Sequence, residues 1–148
     1  MKTLYVDADA CPVKGEVLRV AARHPVAVVF VSDGGVRPVA QERVSYVTVS
    51  QGADAADNYI AEHIGDGDLC VTNDIPLAAR CVEAGAIVLR PDGSLLDAAN
   101  IGAQLATRDL MADLRSASPL GSGGGGRPFS KADRSRFLDQ AERILRKL

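Results

Sequence analysis

The stretch that decides the fold class is VAVVFVSDGG, at residues 26–35. Its first six residues are apolar, uninterrupted and mostly β-branched, which is typical of a strand that is covered on both faces. The Ser-Asp-Gly-Gly sequence that follows is a strong loop signal. Because strands covered on both faces belong to parallel sheets, this stretch predicts an α/β protein.

Predicted strands and helices alternate along the chain on both sides of this stretch. Four further strands are predicted at Thr3–Val6, Tyr46–Val49, Leu69–Thr72 and Ala86–Leu89. Apolar residues at helical spacing predict intervening helices that begin at Pro12, with this proline at position N1, and at Asp54 and Pro76. This order, with connections of a few residues, predicts a mostly parallel sheet with right-handed crossovers.

The second half of the chain divides into a helix, a linker and a last helix. The 148 residues suit a single domain, and we assign residues 1–115 to its α/β body, the last part of which is a helix that begins at Asp97. Residues 116–129 are rich in Gly and Ser and predict a linker. Residues 130–148 predict an amphipathic helix that opens on a capping-box variant, Ser130 with Asp133, and docks on the same domain.

Composition and the amino-terminal sequence exclude several classes of protein. No apolar run approaches the roughly twenty residues that a bilayer crossing needs, so we expect no membrane association. Two aspartates stand where a signal peptide would have its apolar region, which predicts a cytoplasmic protein. The three cysteines show neither paired nor zinc-ligand spacing, and Cys70 and Cys81 are expected to be buried thiols. A homo-oligomer is left open.

The net charge of −2 conceals a basic carboxyl-terminal segment on an acidic body. Residues 115–148 carry eight basic and three acidic side chains, whereas residues 1–114 carry nine basic and sixteen acidic ones. A local positive stripe can bind nucleic-acid phosphates even on an acidic protein. The alternative is that this segment simply packs on the acidic body.

Five aspartates are predicted near the carboxyl edge of the sheet, where ligands bind in open α/β folds. They are Asp7 and Asp9 after the first strand, Asp54 and Asp57 one turn apart at the start of a helix, and Asp74 after the fourth strand. When Asp54, Asp57 and Asp74 are each taken singly, helix capping or the helix dipole explains them better than a site does. Asp7 is harder to explain, because a carboxylate at the end of a buried strand is costly and no basic residue lies between Lys2 and Lys14. Like charges gathered at one edge favour a Mg²⁺ or Mn²⁺ site, which suits phosphoryl chemistry.

Other catalytic groups have weaker support. His24 and His63 lie at predicted helix ends, where a histidine complements the helix dipole. Cys11 is a plausible helix N-cap, where the dipole would lower its pKa while Asp7 and Asp9 would raise it, so a nucleophilic cysteine stays a minor alternative. The glycine run before Arg127 lacks the G-K-[ST] of a P-loop. It reads as linker, or else as a phosphate-approaching loop backed by Arg127, Lys131 and Arg134.

Five sequence blocks together resemble the YaiI/YqxD family of bacterial proteins, and the resemblance spans nearly the whole chain. The blocks are D-A-D-A-C-P (Asp7–Pro12), G-A-D-A-A-D-N (Gly52–Asn58), T-N-D-I-P-L-A (Thr72–Ala78), R-D-L-M (Arg108–Met111) and R-P-F-S-K-A-D-R (Arg127–Arg134). The family is regarded as PIN-like, so the resemblance implies a PIN-like fold with about five strands in the order 3-2-1-4-5. PIN nucleases are hydrolases that cut RNA with Mg²⁺ or Mn²⁺, which makes RNA the implied partner.

The resemblance implies roles for several residues. Asp7, Asp54 or Asp57, and Asp74 are similar in placement to the acids of PIN nucleases, whereas the acid of an early helix has Glu42 as its nearest counterpart, so the site would be remodelled around Asp9. All five aspartates are therefore candidate catalytic and metal-binding residues. For the substrate phosphates we expect contacts from Arg127, Lys131 and Arg134, with Arg108 as a helper.

Two rival functions remain open at this point. The D-x-D after the first strand also resembles the start of a haloacid-dehalogenase-type phosphatase, although Cys11 stands where Thr or Val is usual and the late lysine of that family is missing. The other rival is a PIN-like domain that binds RNA or a partner without cutting.

Overall fold

The computed structural model describes residues 1–52, 54–117 and 128–148. Six strands and five helices are present in these ranges. The strands are β1 (Lys2–Asp7), β2 (Val26–Ser32), β3 (Val44–Thr48), β4 (Leu69–Val71), β5 (Ile87–Leu89) and β6 (Leu95–Leu96). The helices are α1 (Lys14–Ala21), α2 (Ala55–His63), α3 (Ile75–Glu83), α4 (Ile101–Ala117) and α5 (Lys131–Arg146).

The strands form one sheet in the order β3-β2-β1-β4-β5-β6. The first five strands run parallel, which confirms the α/β class and the order predicted for them, and β6 pairs antiparallel with β5. In the register, Val6 of β1 faces Phe30 of β2 on one side and Val71 of β4 on the other. The carboxyl ends of β1, β2 and β4 therefore meet at one edge of the sheet.

The helices cover both faces of the sheet and form two apolar clusters. On one face, α1 and α5 pack against the strands, with Val17, Phe137 and Leu145 buried among Val6 and Phe30. On the other face, α2 and α3 place Ile60, Leu77 and Cys81 against Val31 and Val88. Because α5 buries its apolar stripe in the first cluster, it is an integral part of the packed structure.

Several details differ from the sequence predictions. Helix α4 begins at Ile101 and not at Asp97, whose side chain accepts from the Ala99 and Asn100 amides in the preceding turn. The first α1 hydrogen bond is accepted by the Val13 carbonyl, so Pro12 lies before the N-cap and not at position N1. Strand β6 was not predicted because it has only two residues; a tight turn in which the Arg90 amide donates to the Ser94 carbonyl creates it. Helix α4 includes residues 116 and 117, which the sequence assigned to the linker. Most of the predicted linker, including Arg127, lies outside the described residues.

None of the helices in the described ranges has the length and apolar character needed to cross a membrane.

Candidate active site

Asp7 and Thr72 lie side by side where the central strands β1 and β4 end. Val6 and Val71 are register partners, so Asp7 and Thr72, which follow them, lie next to each other at the edge of the sheet. The Thr72 hydroxyl donates to Oδ2 of Asp7 at 2.9 Å. The half-buried Asp7 carboxyl thus has a fixed partner that is neutral and not a cation.

Thr72 is a positioning residue that the sequence predictions missed. It is only 2% exposed, and its Oγ1 also accepts a hydrogen bond of 2.9 Å from the amide of Asp74. One hydroxyl therefore fixes both the Asp7 side chain and the backbone of Asp74. The T-x-D spacing could have predicted this role, because a Thr two residues before an Asp can accept a hydrogen bond from the Asp amide in a local turn.

Asp74 combines a capping role with a place in the carboxylate cluster. Its Oδ1 accepts from the Leu77 amide at 3.0 Å, so it is the N-cap of α3, as the capping alternative predicted. Its carboxyl group also lies close enough to that of Asp57, in the first turn of α2, to raise the pKa of Asp57.

The crowding of these acids changes their protonation. Burial, the hydrogen bond to Asp74 and the charges of Asp74, Asp7 and Asp54 raise the pKa of Asp57 from 3.8 to about 7. Burial also raises the pKa of Asp7, with the Thr72 hydrogen bond opposing the shift and the charges of Asp74 and Asp9 adding to it. We call Asp7, Asp57 and Asp74 the carboxylate cluster.

Asp9 and Asp54 flank this cluster. Both oxygens of the exposed Asp9 accept from the Asp33 amide, each at 3.2 Å, which ties the loop after β1 to the loop after β2. Asp54 is exposed at the N-cap position of α2 and makes no side-chain cap bond. The structure therefore brings three of the five predicted aspartates together and keeps the other two at the margin, where their charges still act on Asp7 and Asp57.

Glu42 does not belong to this edge of the sheet. Residues 33–43, all of them described, contain no helix, and Glu42 lies in the turn that leads into β3. Since β3 is parallel to β2, Glu42 lies at the opposite end of the strands. Its side chain is 86% exposed and pairs with Arg43.

The donor set fits a divalent cation held mainly by water. Across the described ranges, no three His, Cys, Asp or Glu side chains are arranged to hold one metal ion together. Mg²⁺ commonly uses one or two carboxylates and keeps several waters. Asp57 and Asp74, with Asp7 nearby, could supply those carboxylates once Asp57 has lost its proton.

The predicted phosphate-binding residues have different surroundings. Arg134 donates to the Pro12 carbonyl and pairs with Glu16 at 2.9 Å, so it joins α5 to α1. Lys131 is exposed in the first turn of α5, and Arg108 is half-exposed on α4, 4.0 Å from Asp109. Arg127 lies outside the described residues.

The cysteines and histidines have roles within the fold. Cys70 and Cys81 are fully buried, as predicted. Cys11 is buried rather than placed at the N-cap, and burial raises its pKa, which works against a nucleophilic role. His24 contacts Glu142 at 2.9 Å, and His63 contacts the Tyr59 carbonyl at 2.7 Å.

The raised pKa of Asp57 predicts an unusual pH dependence of stability. Between pH 4 and pH 7 the folded protein holds a proton that the unfolded chain has released, so the free energy of unfolding should fall as the pH rises. Asp57→Asn should raise the free energy of unfolding by only about 1–2 kcal/mol at pH 8, because solvent screens part of the charge effect. Near pH 4 the substitution should leave the free energy of unfolding unchanged. Urea unfolding at both pH values measures the difference.

Asp54→Asn is the matched control for this variant, because it removes an exposed charge from the same helix start. Its effect should be smaller at pH 8. A loss of stability in Asp57→Asn at pH 8, or a difference that is the same at both pH values, would contradict the predicted titration.

Comparison with known proteins gives one family and many close relatives. The sequence profile described as "Uncharacterized BCR, YaiI/YqxD family" matches residues 5–147. A UPF0178 protein of Ruegeria pomeroyi is 62% identical over 146 residues, which is 99% of this chain and 95% of the relative. UPF0178 proteins of Cereibacter sphaeroides and Azorhizobium caulinodans are 61% and 51% identical, each over 99% of this chain and 91% of its own length. No solved structure matches the chain.

Proposed function

This chain belongs to the YaiI/YqxD family, and we propose that it is a PIN-like, divalent-metal-dependent nuclease that acts on RNA. The observation that carries the proposal is the carboxylate cluster itself. Three acids from β1, α2 and the start of α3 meet at the carboxyl edge of the sheet without a basic side chain bonded to any of them in the described part of the chain. Such a group of acids is costly unless protons or a cation neutralise it.

The side chains of the cluster have separable roles in this proposal. Thr72 holds the Asp7 carboxyl in one orientation, and the cap bond to Leu77 does the same for Asp74. Asp57 releases its proton near pH 7 and so becomes available as a ligand under neutral conditions. When bound, Mg²⁺ or Mn²⁺ supplies a water-derived nucleophile and neutralises charge on the phosphate.

The charge distribution supports RNA as the substrate class. The basic segment from residue 115 onward places Lys131 exposed at the start of α5, where it can meet a phosphate backbone. Arg134 supports this segment by joining it to α1. Arg127 and Arg108 stay predicted phosphate contacts.

Cleavage of a labelled single-stranded RNA by the purified protein tests the proposal. We expect fragments in millimolar Mn²⁺ or Mg²⁺ and none in excess EDTA, because the carboxylate cluster alone offers no strong nucleophile. A parallel arm with p-nitrophenyl phosphate distinguishes a phosphatase of the haloacid-dehalogenase type. Metal-independent cleavage, or phosphatase activity without RNA cleavage, would overturn the proposal.

A module that binds RNA without cutting it is the second candidate, and the use of Asp74 as the N-cap of α3 favours it, because that role of the carboxylate needs no metal. RNA binding in filter assays together with intact RNA in every metal would support this candidate instead.

A further inference from the structure

A cavity of about 460 Å³ opens at the same carboxyl edge of the sheet as the carboxylate cluster, on the side covered by α1 and α5. Its lining includes Ala10 after β1, Asn73 after β4, Arg90 after β5 and Phe129 before α5. Asn73 stands between Thr72 and Asp74, so the cavity and the cluster share one loop. The volume falls within the range of about 300–1,000 Å³ that is typical of small-ligand sites.

Arg90 gives this cavity an available cationic group. Its Nε donates to Oδ1 of Asn73 at 3.2 Å, which orients the guanidinium. Within the ranges that the structure describes, no carboxylate oxygen lies within 4.0 Å of this guanidinium. Its terminal nitrogens therefore remain free to donate a forked pair of hydrogen bonds, the geometry that suits a phosphate.

Phe129 adds an aromatic surface to the same cavity. The residue is 37% exposed, and the Arg134 guanidinium lies 5.0 Å from its ring centroid. Because Arg134 is itself bonded to Glu16 on α1, this contact holds the ring in place. Exposed aromatic rings of this kind stack with nucleobases regardless of sequence.

Besides the buried Asp133, which pairs with Arg136, the polar lining includes Asp92. Burial acts to raise its pKa, but hydrogen bonds from Ser94 and the charge of Arg90 outweigh that effect and lower the pKa below its ordinary value. The hydroxyl and amide of Ser94 both donate to Oδ1, at 2.6 and 2.9 Å. The second oxygen, Oδ2, has no donor among the described residues and can accept from a ribose hydroxyl, a contact that carboxylates make to nucleotides elsewhere.

We propose that this cavity binds one ribonucleotide unit, with its phosphate on Arg90, its base against Phe129 and a ribose hydroxyl on Asp92. The proposal rests on the proposed function, since it names the part of an RNA chain that is held at the same sheet edge as the carboxylate cluster. A cation, an aromatic ring and a free carboxylate oxygen in one cavity match the three chemical parts of a nucleotide. The 2′-hydroxyl contact also gives RNA an advantage over DNA.

Calorimetric titration of the full chain with adenosine 5′-monophosphate tests the site. EDTA in the buffer prevents any metal-dependent catalysis. We expect millimolar or tighter binding, weakened about tenfold or more by Arg90→Met, because a charge-assisted pair of hydrogen bonds is lost. Phe129→Leu should also weaken binding, and Asp92→Asn should reduce the preference over 2′-deoxyadenosine 5′-monophosphate. Arg19→Met, an exposed arginine on α1, is the matched control and should bind as the wild type does.

Three results would overturn the nucleotide site: no binding of the nucleotide by the wild type at millimolar concentration, unchanged binding by Arg90→Met and Phe129→Leu, or equal binding of inorganic phosphate. Melting curves of each variant separate lost binding from lost folding. Nucleotide binding without RNA cleavage would sustain this site while the nuclease proposal fails. RNA cleavage without nucleotide binding would support the nuclease proposal and refute the nucleotide site.

Discussion

Replacing Asp7 with asparagine is expected to lower the rate of RNA cleavage by about 10²–10⁴-fold. A catalytic metal ion contributes several kcal/mol of transition-state stabilisation, and each 1.36 kcal/mol corresponds to a factor of ten in rate. Asparagine has nearly the same shape as aspartate, and its Oδ1 can still accept the hydrogen bond from Thr72. The substitution therefore removes the charge while it preserves the local geometry.

The same variant should not lose stability, which separates a catalytic role from a structural one. Burial already raises the pKa of Asp7, so a neutral side chain relieves a desolvation cost, and the melting temperature should stay equal or rise. Asp139→Asn is the matched control, because Asp139 is exposed on α5 and should keep full activity. Measurements of kcat and KM with saturating Mn²⁺, beside melting curves, provide the comparison. Full cleavage activity in Asp7→Asn would remove Asp7 from the site.

The sheet could be predicted because its signals are local and repeated. The buried run at Val26–Val31 and the alternation of strands with helices determine the α/β class, and the structure confirms the order of the first five strands. Strand β6 could not be predicted in this way, because its two residues are too few to show a periodicity. They pair with β5 only because the turn at Gly93 brings them there.

The carboxylate cluster could be predicted only in part, for a physical reason. Sequence order identifies which residues follow the strands, but not which way each side chain turns. Asp9 follows β1 just as Asp7 does, yet its oxygens bond the Asp33 amide, whereas Asp7 bonds Thr72. The influence of Asp74 on the pKa of Asp57 links two helix starts and depends on how α2 and α3 pack, which no local pattern encodes.

The partner of the Arg134 side chain could not be predicted from the sequence either. The sequence predicts either a phosphate contact or packing on the acidic body, and the two interpretations use the same positive charge. In the structure Arg134 bonds Glu16 and the Pro12 carbonyl, because the docking of Phe137 and Leu145 in the apolar core brings α5 against α1. Arg90, which no charge count singles out, is instead the arginine that lines the cavity at the carboxyl edge of the sheet.

The affinity for Mn²⁺ is expected to fall about tenfold for each pH unit below 7, so that binding at pH 5 is about 100-fold weaker than at pH 7. The proton on Asp57, whose pKa is about 7, must leave before the carboxylate can bind a cation, and above that pH no such proton remains to be displaced. Calorimetric titration of Mn²⁺ in two buffers of different ionisation enthalpy measures both the affinity and the number of protons released.

Asp57→Asn should bind Mn²⁺ more weakly at pH 8 and show a flatter pH profile, whereas the control Asp139→Asn should match the wild type. Binding that is independent of pH and releases no proton would show that the cation does not use Asp57, and absence of binding at pH 8 in millimolar Mn²⁺ would refute the metal site.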